Sequence, residues 1–128
     1  MIVVDTSVWV SVLRSPGSPE APFLVDLLDA DEVGLAVPVR VELLSGASAP
    51  DRAKLRRTLS ALPVLYPTDE TWTLIDSWID VAARKGQRFA LGDLLIGAMA
   101  AEQGALVWSL DADFARMASA GLIGRYET

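Results

Sequence analysis

The sequence contains no cysteine and no histidine among its 128 residues. Without cysteine, the chain can form neither disulfide bonds nor thiolate metal sites. Without histidine, it lacks the usual general base near neutral pH and the commonest nitrogen ligand for zinc or iron. Any chemistry that the protein performs must therefore use other side chains.

Basic residues are scarce as well, since 11 Lys and Arg stand against 17 Asp and Glu and give a net charge of −6. A protein that holds nucleic acid by charge alone carries a strongly basic surface, so the balance excludes that class. It favours a basic protein partner, or an anionic substrate that is reached through a metal ion.

Long apolar runs are also missing, because charged residues or glycine interrupt them well before membrane-spanning length. The first 30 residues show no basic leader and no small-residue cleavage site. A hydrophobic content of 52% is too high for a disordered chain. We expect a soluble, cytoplasmic protein with a single domain over residues 1–128 and no membrane association.

Short apolar runs alternate with helical patterns along the whole chain. The predicted strands are Ile2–Val4, Val33–Val37, Val64–Tyr66 and Ala105–Trp108, with a short edge strand at Arg125–Glu127. Helices are predicted over residues 6–13, 20–30, 38–46, 51–61, 68–85, 90–103 and 114–121. This order predicts an α/β protein with three α/β/α layers around a central parallel sheet of four to five strands.

Acidic residues stand at particular points of this pattern. Asp5 and Asp111 each follow a predicted strand, at the edge where open α/β sheets bind ligands. Glu42 and Asp93 lie early in helices beside pairs of leucines, so we expect both to be partly buried. Carboxylates that gather repel one another unless a cation or hydrogen-bond donors compensate. A hard divalent cation, Mg²⁺ or Mn²⁺, is the natural compensation.

Each acidic residue also has a purely structural interpretation. An acidic side chain in the first turn of a helix, such as Asp93, complements the helix dipole and often does nothing else. Asp5, or one of the two hydroxyl residues after it, can cap the first helix. Either Asp111 or Asp113 can cap the last helix, and we assign that role to Asp113.

The acidic residues lie in four short motifs. These are Asp5-Thr6-Ser7, Glu42 in Val-Glu-Leu-Leu-Ser-Gly, Gly92-Asp93-Leu-Leu-Ile-Gly-Ala, and Ser109-Leu-Asp111-Ala-Asp113-Phe114. In order and spacing they resemble the acidic motifs of PIN domains, most closely those of the VapC type. Each motif is weak alone, but the resemblance covers nearly the whole chain, from residue 2 to residue 117.

This resemblance implies a PIN-like domain that is a Mg²⁺-dependent endoribonuclease and the toxin of a type II toxin–antitoxin pair. The residues that it implies as catalytic are Asp5, Glu42, Asp93 and Asp111. Those implied as metal ligands are Asp5, Asp93, Asp111 and Asp113, with Mn²⁺ able to replace Mg²⁺. Ser7 and Ser109 are expected to support the site, and Ser109 keeps the hydroxyl of the threonine that the family often has there.

The chemistry of such a cluster explains why histidine is not needed. One or two Mg²⁺ ions can lower the pKa of a bound water, orient it for in-line attack on phosphorus and neutralise the leaving oxygen. The metal also reconciles an acidic pocket with RNA, which bare carboxylates would repel. Basic residues are expected at the rim, and Arg14 and Arg40 are the candidates for substrate binding.

The resemblance further implies two protein partners. One is a second copy of the chain in a homodimer. The other is a cognate antitoxin whose basic C-terminal segment lies across the active-site groove, which suits the net negative charge of this chain.

Other classes of protein remain as alternatives. A PIN-like binding module with a catalytically silent site would share the fold, although the presence of all the matched acids argues against it. A receiver domain also gathers carboxylates and Mg²⁺, but it needs an Asp after the third strand, where Pro67 stands, and a Lys after the fifth. A haloacid-dehalogenase-like phosphatase needs a second Asp at the position of Ser7.

Overall fold

Runs of β-branched and other apolar residues form five short strands in the computed structural model, which describes all 128 residues. The strands are β1 (Ile2–Val4), β2 (Val33–Ala36), β3 (Val64–Leu65), β4 (Leu106–Trp108) and β5 (Gly124–Arg125). The helices are α1 (Thr6–Arg14), α2 (Ala21–Asp29), α3 (Val37–Ser45), α4 (Ala49–Leu59), α5 (Asp69–Arg84), α6 (Leu91–Glu102) and α7 (Ala112–Ser119).

The strands form one parallel sheet in the order β3-β2-β1-β4-β5. β1 lies in the centre, where Ile2 pairs with Val33 on one side and with Leu106 on the other. Every residue of β1 and β2 is buried, as expected of a parallel sheet with helices on both faces. The predicted three-layer α/β/α fold is confirmed, and its sheet has five strands.

The strand order reverses at β1, and this reversal creates the crevice that matters for function. β2 and β3 follow β1 on one side, whereas β4 returns to its other side. Ligands of open α/β sheets bind at such switch points, outside the carboxyl ends of the strands. Asp5 lies there, because its N–H donates to the carbonyl of Trp108 at 2.8 Å and so continues the pairing of β1 with β4.

Helix α6 is the buried central helix that the sequence predicts. It packs against β1, β2 and β4 and against α5 and α7. Gly97 permits the approach of α7, because a Cβ at this position would lie 2.6 Å from the Cε of Met117. Gly104 has a φ of +64°, which fits the predicted helix stop. Close packing of α6 on α7 brings their amino-terminal turns together.

The hydrophobic core is one cluster of 26 buried residues. It fixes the backbone beside the acidic motifs, because Val4 precedes Asp5 and Phe114 follows Asp113, and both apolar side chains are at most 1% exposed. Rigid neighbours therefore position the acidic side chains of the motifs.

No helix is both long enough and apolar enough to cross a membrane.

Element boundaries differ from the predictions by one or two residues. The second strand ends at Ala36 because Val37 and Pro38 already form the first turn of α3. The fourth helix likewise begins at Ala49, with Pro50 in its first turn. The last helix begins at Ala112 rather than at residue 114, which changes the assignment of its cap.

Candidate active site

Asp5 is a buried carboxylate that two hydroxyl groups satisfy. Asp5 is only 6% exposed. Its Oδ2 accepts hydrogen bonds from Ser7 Oγ at 2.7 Å and from Ser109 Oγ at 2.8 Å. A buried charge is tolerated only with such partners. Because Ser7 follows β1 and Ser109 follows β4, the bonds also join the ends of the two strands.

The backbone holds both serine hydroxyls in turn. The N–H of Leu110 donates to Ser7 Oγ at 3.0 Å, and the N–H of Asp111 donates to Ser109 Oγ at 2.9 Å. Each hydroxyl therefore accepts from the backbone and donates to the carboxylate. Ser7 and Ser109 occupy the places that a supporting role requires, and we call them with Asp5 the Asp5 corner.

Three other carboxylates meet beside this corner. Asp93 comes from the first turn of α6, while Asp111 and Asp113 come from the start of α7. One side-chain oxygen of each lies within 4.8 Å of the others, and we call this group the carboxylate trio. Its only ion pair joins Nη2 of Arg116 to Oδ1 of Asp113 at 2.5 Å.

The capping prediction for α7 was wrong. Asp111, not Asp113, is the N-cap, and its Oδ1 accepts the N–H of Asp113 at 2.9 Å. The helix begins two residues earlier than the apolar pattern indicates, so the residue with extended backbone before it is Asp111. At α1 the cap is Asp5 itself, not one of the hydroxyl residues after it.

The pKa of Asp93 is raised to about 6 by its surroundings in the site. Loss of solvent around the carboxyl group is the largest cause, followed by the negative charges of Asp111, Asp113 and Asp5 and a hydrogen bond with Asp113. The trio thus lacks sufficient positive charge of its own.

Glu42 lies on α3 with an exposed side chain, and the expected partial burial applies only to the surroundings of its carboxyl group. The leucines at 43 and 44 turn into the core, and Glu42 consequently faces outward. Its pKa is nevertheless raised, first by partial loss of solvent around the carboxyl group and then by the charge of Asp5. Asp5 is therefore the common neighbour of Glu42 and Asp93, whose pKa it also raises.

A groove of about 430 Å³ runs beside Glu42 between α1, α3 and α4. Arg14 on α1 and Lys54 on α4 contribute its basic groups. Arg40, two residues before Glu42 on α3, does not line the groove, since residues two apart on a helix do not share a face. Of the two predicted substrate-binding residues, only Arg14 reaches this region.

Arg116 is a residue of the site that sequence reasoning missed. It lies three residues after Asp113 on α7, and this spacing places the two side chains side by side. The spacing of three residues could have predicted this ion pair from the sequence. The prediction requires, however, that the start of α7 be known.

The residues present fit a hard divalent cation. The donors are all carboxylate oxygens, as Mg²⁺ and Mn²⁺ prefer. Three of them meet within 4.8 Å, and the raised pKa of Asp93 shows that they do so at an electrostatic cost. A cation among them would remove that cost.

The fold and the site together define a class of protein, namely an α/β/α domain with acidic residues around the β1–β4 switch point. Comparison of the sequence with known families identifies this class. Residues 2–120 match the PIN domain family. The chain belongs to the PIN-domain family, as its motifs suggested. The receiver-domain alternative is thereby set aside.

Similarity to particular members supports the same conclusion. The chain is 34% identical over 119 residues to ribonuclease VapC11 of Mycobacterium tuberculosis, which is 89% of each chain. It is 26% identical to a chain of VapBC-5, from the VapBC family of toxin–antitoxin systems in that organism, with a TM-score of 0.68 over 97% of both chains. Its fold also resembles VapBC-1 of nontypeable Haemophilus influenzae, with 17% identity and a TM-score of 0.77 over 99% of this chain and 98% of the other.

Proposed function

We propose that this chain is a metal-dependent endoribonuclease, a single domain over residues 1–128, that acts as the toxin of a type II toxin–antitoxin pair. The observation that carries the proposal is the convergence of Asp93, Asp111 and Asp113 within 4.8 Å beside the buried Asp5. Similarity to a relative named as a VapC ribonuclease supports RNA as the substrate.

The trio is the proposed holder of Mg²⁺, or of Mn²⁺ in its place, with Asp5 as a further ligand. A cation bound there supplies an activated water for in-line attack on phosphorus and offsets the negative charge of the phosphate and the leaving oxygen. Asp5 Oδ2 is engaged by Ser7 and Ser109, which leaves Oδ1 free for the metal. The two serines therefore orient this ligand.

Glu42 is the proposed acceptor of a proton. Its pKa is raised by partial desolvation and by Asp5, which brings the carboxyl group closer to the range where a general base works at neutral pH. Glu42 lines the groove, and Asp5 is near enough for its charge to raise the pKa of Glu42. Glu42 would thus complete the predicted catalytic set of Asp5, Asp93 and Asp111.

The groove is the proposed path of the RNA strand. Arg14 and Lys54 line it, and each can contact a phosphate flanking the one that is cut. The predicted contact with Arg40 finds no support in the groove geometry.

The proposed partners are a cognate antitoxin and a second copy of the chain. A basic side chain from an antitoxin C-terminal segment would relieve the same repulsion in the trio as a metal ion does. The similarity to solved structures named VapBC supports this partner. For a homodimer, Trp72 and Ile79 offer an exposed apolar stripe, because they lie seven residues apart on one side of α5.

The test is cleavage of total RNA by purified protein with Mg²⁺, with Mn²⁺ or with EDTA, in parallel with Asp5→Asn and Asp93→Asn. We expect cleavage to require metal and each substitution to lower it by about 100-fold or more, since even outer partners of metal ligands are worth about 10- to 100-fold. Asp80→Asn, an exposed acid on α5, is the matched control and should cut normally.

The opposite result would revive the binding-module alternative. If folded wild-type protein cuts no RNA with either metal, while circular dichroism shows a native spectrum, the site is not catalytic on such a substrate. If Asp93→Asn cuts as well as the Asp80→Asn control, the carboxylate mechanism is wrong even though the protein is a nuclease.

A further inference from the structure

Arg116 contacts two parts of the site at once. Its Nη2 donates to Oδ1 of Asp113, and its guanidinium carbon lies 5.0 Å from the centre of the Phe89 ring. Phe89 is only 8% exposed and immediately precedes Ala90, the N-cap of α6. The two contacts of Arg116 therefore connect the first turn of α7 to the entrance of α6, the helix that carries Asp93.

An ion pair three residues apart on a helix surface is ordinarily of little consequence. Two features distinguish this one. The planar guanidinium group of Arg116 lies over the buried ring of Phe89, and this contact restricts its motion. The ammonium group of a lysine would stay mobile at the same place. The carboxylate that it holds is a member of the trio, so its orientation matters for metal binding.

We propose that Arg116 is a positioning residue of the metal site, which holds the Asp113 carboxylate toward Asp93 and Asp111 by resting on Phe89. The ion pair uses Oδ1 of Asp113 and leaves Oδ2 for the cation. This inference rests on the proposed metal-dependent function, and it adds a residue that acts through Asp113.

Charge alone leads to the opposite expectation. A guanidinium group beside the trio repels an incoming cation, so its removal would tighten metal binding if Arg116 acted only as a charge. If it positions Asp113, its removal leaves that ligand mobile and weakens binding. The direction of the change in metal affinity therefore separates the two roles.

The experiment is calorimetric titration of the purified protein with Mn²⁺, without RNA. We expect Arg116→Gln to weaken Mn²⁺ binding by about tenfold, the usual cost of losing an outer partner of a ligand. Arg116→Lys keeps the charge but not the planar contact, so it should weaken binding nearly as much. Phe89→Leu should also weaken it and should add little when combined with Arg116→Lys.

Arg125→Gln is the matched control, because Arg125 forms another exposed ion pair, with Glu127 at 3.0 Å, on the edge strand. Its Mn²⁺ affinity should equal that of the wild type. In RNA cleavage, the kcat of Arg116→Gln should recover at saturating metal while KM for RNA stays unchanged, as a residue that does not touch RNA requires.

Three results would overturn the inference. They are wild-type or tighter Mn²⁺ binding by Arg116→Gln, normal binding by Arg116→Lys, or a raised KM for RNA at unchanged metal affinity, which would make Arg116 an RNA contact. Because Arg116 is exposed, these variants should fold, and the test stands without Phe89→Leu if that protein does not. The wild-type titration and cleavage test the proposed function separately from the variants.

Discussion

The two halves of the candidate site handle negative charge in opposite ways. In the Asp5 corner, one buried carboxylate receives two hydroxyl hydrogen bonds, from Ser7 and Ser109. In the trio, three carboxylates share a single paired cation, Arg116. The protein completes the first arrangement with its own atoms, whereas the second is the site proposed for a cation from outside.

This difference separates what holds the fold from what serves the function. The Asp5 corner ties β1 to β4, so its hydrogen bonds should contribute to stability. Loss of solvent and the charges of its acidic neighbours raise the pKa of Asp93 in the trio to about 6, so the trio should cost stability when no metal is bound. Substitutions in the two halves should therefore affect the free energy of unfolding in opposite directions.

The largest expected effect is the response of stability to metal. At a Mg²⁺ concentration 100 times its Kd, the wild type should gain about 2.7 kcal/mol in free energy of unfolding. Asp93→Asn should lose this gain but be more stable than the wild type without metal, since repulsion in the trio decreases. Asp5→Asn should lose about 1 kcal/mol without metal, because a neutral amide accepts weaker hydrogen bonds.

Urea unfolding with Mg²⁺ and with EDTA measures all three proteins. Equal destabilisation of the metal-free protein by Asp5→Asn and Asp93→Asn would remove the distinction between the corner and the trio. An undiminished Mg²⁺ response in Asp93→Asn would show that the trio is not where the metal binds.

A somewhat smaller effect is expected from the two serines. Ser7→Ala and Ser109→Ala should each cost about 1 kcal/mol, because the other hydroxyl still serves Asp5 Oδ2. The double variant should cost about 2.5 kcal/mol, more than the sum, since it strips both hydroxyl donors from a buried charge.

Ser77→Ala is the control for the serine series. The Ser77 hydroxyl donates only to the carbonyl of Leu74 in its own helix and is exposed, so its loss should change stability by less than about 0.5 kcal/mol. Strict additivity of Ser7→Ala and Ser109→Ala in urea unfolding would mean that the two hydroxyls do not share one acceptor in solution.

The sequence predicted that the acidic residues lie at one edge of the sheet, though not how they are partnered. Strand and helix periods place Asp5 and Asp111 after parallel strands, and parallel strands end at a common edge, so their position at that edge follows from local pattern. The reversal of strand order at β1 depends on packing between distant segments, and no local pattern encodes it.

The errors at the site have a similar origin. Whether Asp111 or Asp113 caps α7 depends on one turn of helix, within the ordinary uncertainty of a boundary. Glu42 was expected to be partly buried beside its leucine neighbours, but its side chain is exposed because adjacent residues on a helix point in different directions. The contact of Arg116 with Phe89 joins residues 27 positions apart, which only the tertiary fold brings together.

The smallest expected effect is the pH dependence of the metal-free protein, and it isolates the trio. The pKa of Asp93 rises from 3.8 to about 6 on folding, so the folded state binds the proton more tightly than the unfolded state. The resulting stabilisation is fully present below pH 3.8 and is lost as the pH rises through about 6. Because Asp93 is partly exposed, we expect about 1 kcal/mol rather than the full value of the shift.

The measurement is the difference in free energy of unfolding between the wild type and Asp93→Asn in EDTA, from pH 4 to pH 7.5. Subtraction cancels the titration of other carboxyl groups, including Glu42, whose pKa is also raised. The free energy of unfolding of the wild type should decrease relative to that of the variant as the pH increases. Saturating Mg²⁺ should reverse this trend because the metal requires ionised Asp93. A flat difference would mean that Asp93 titrates normally and that the trio carries no electrostatic cost for a metal to relieve.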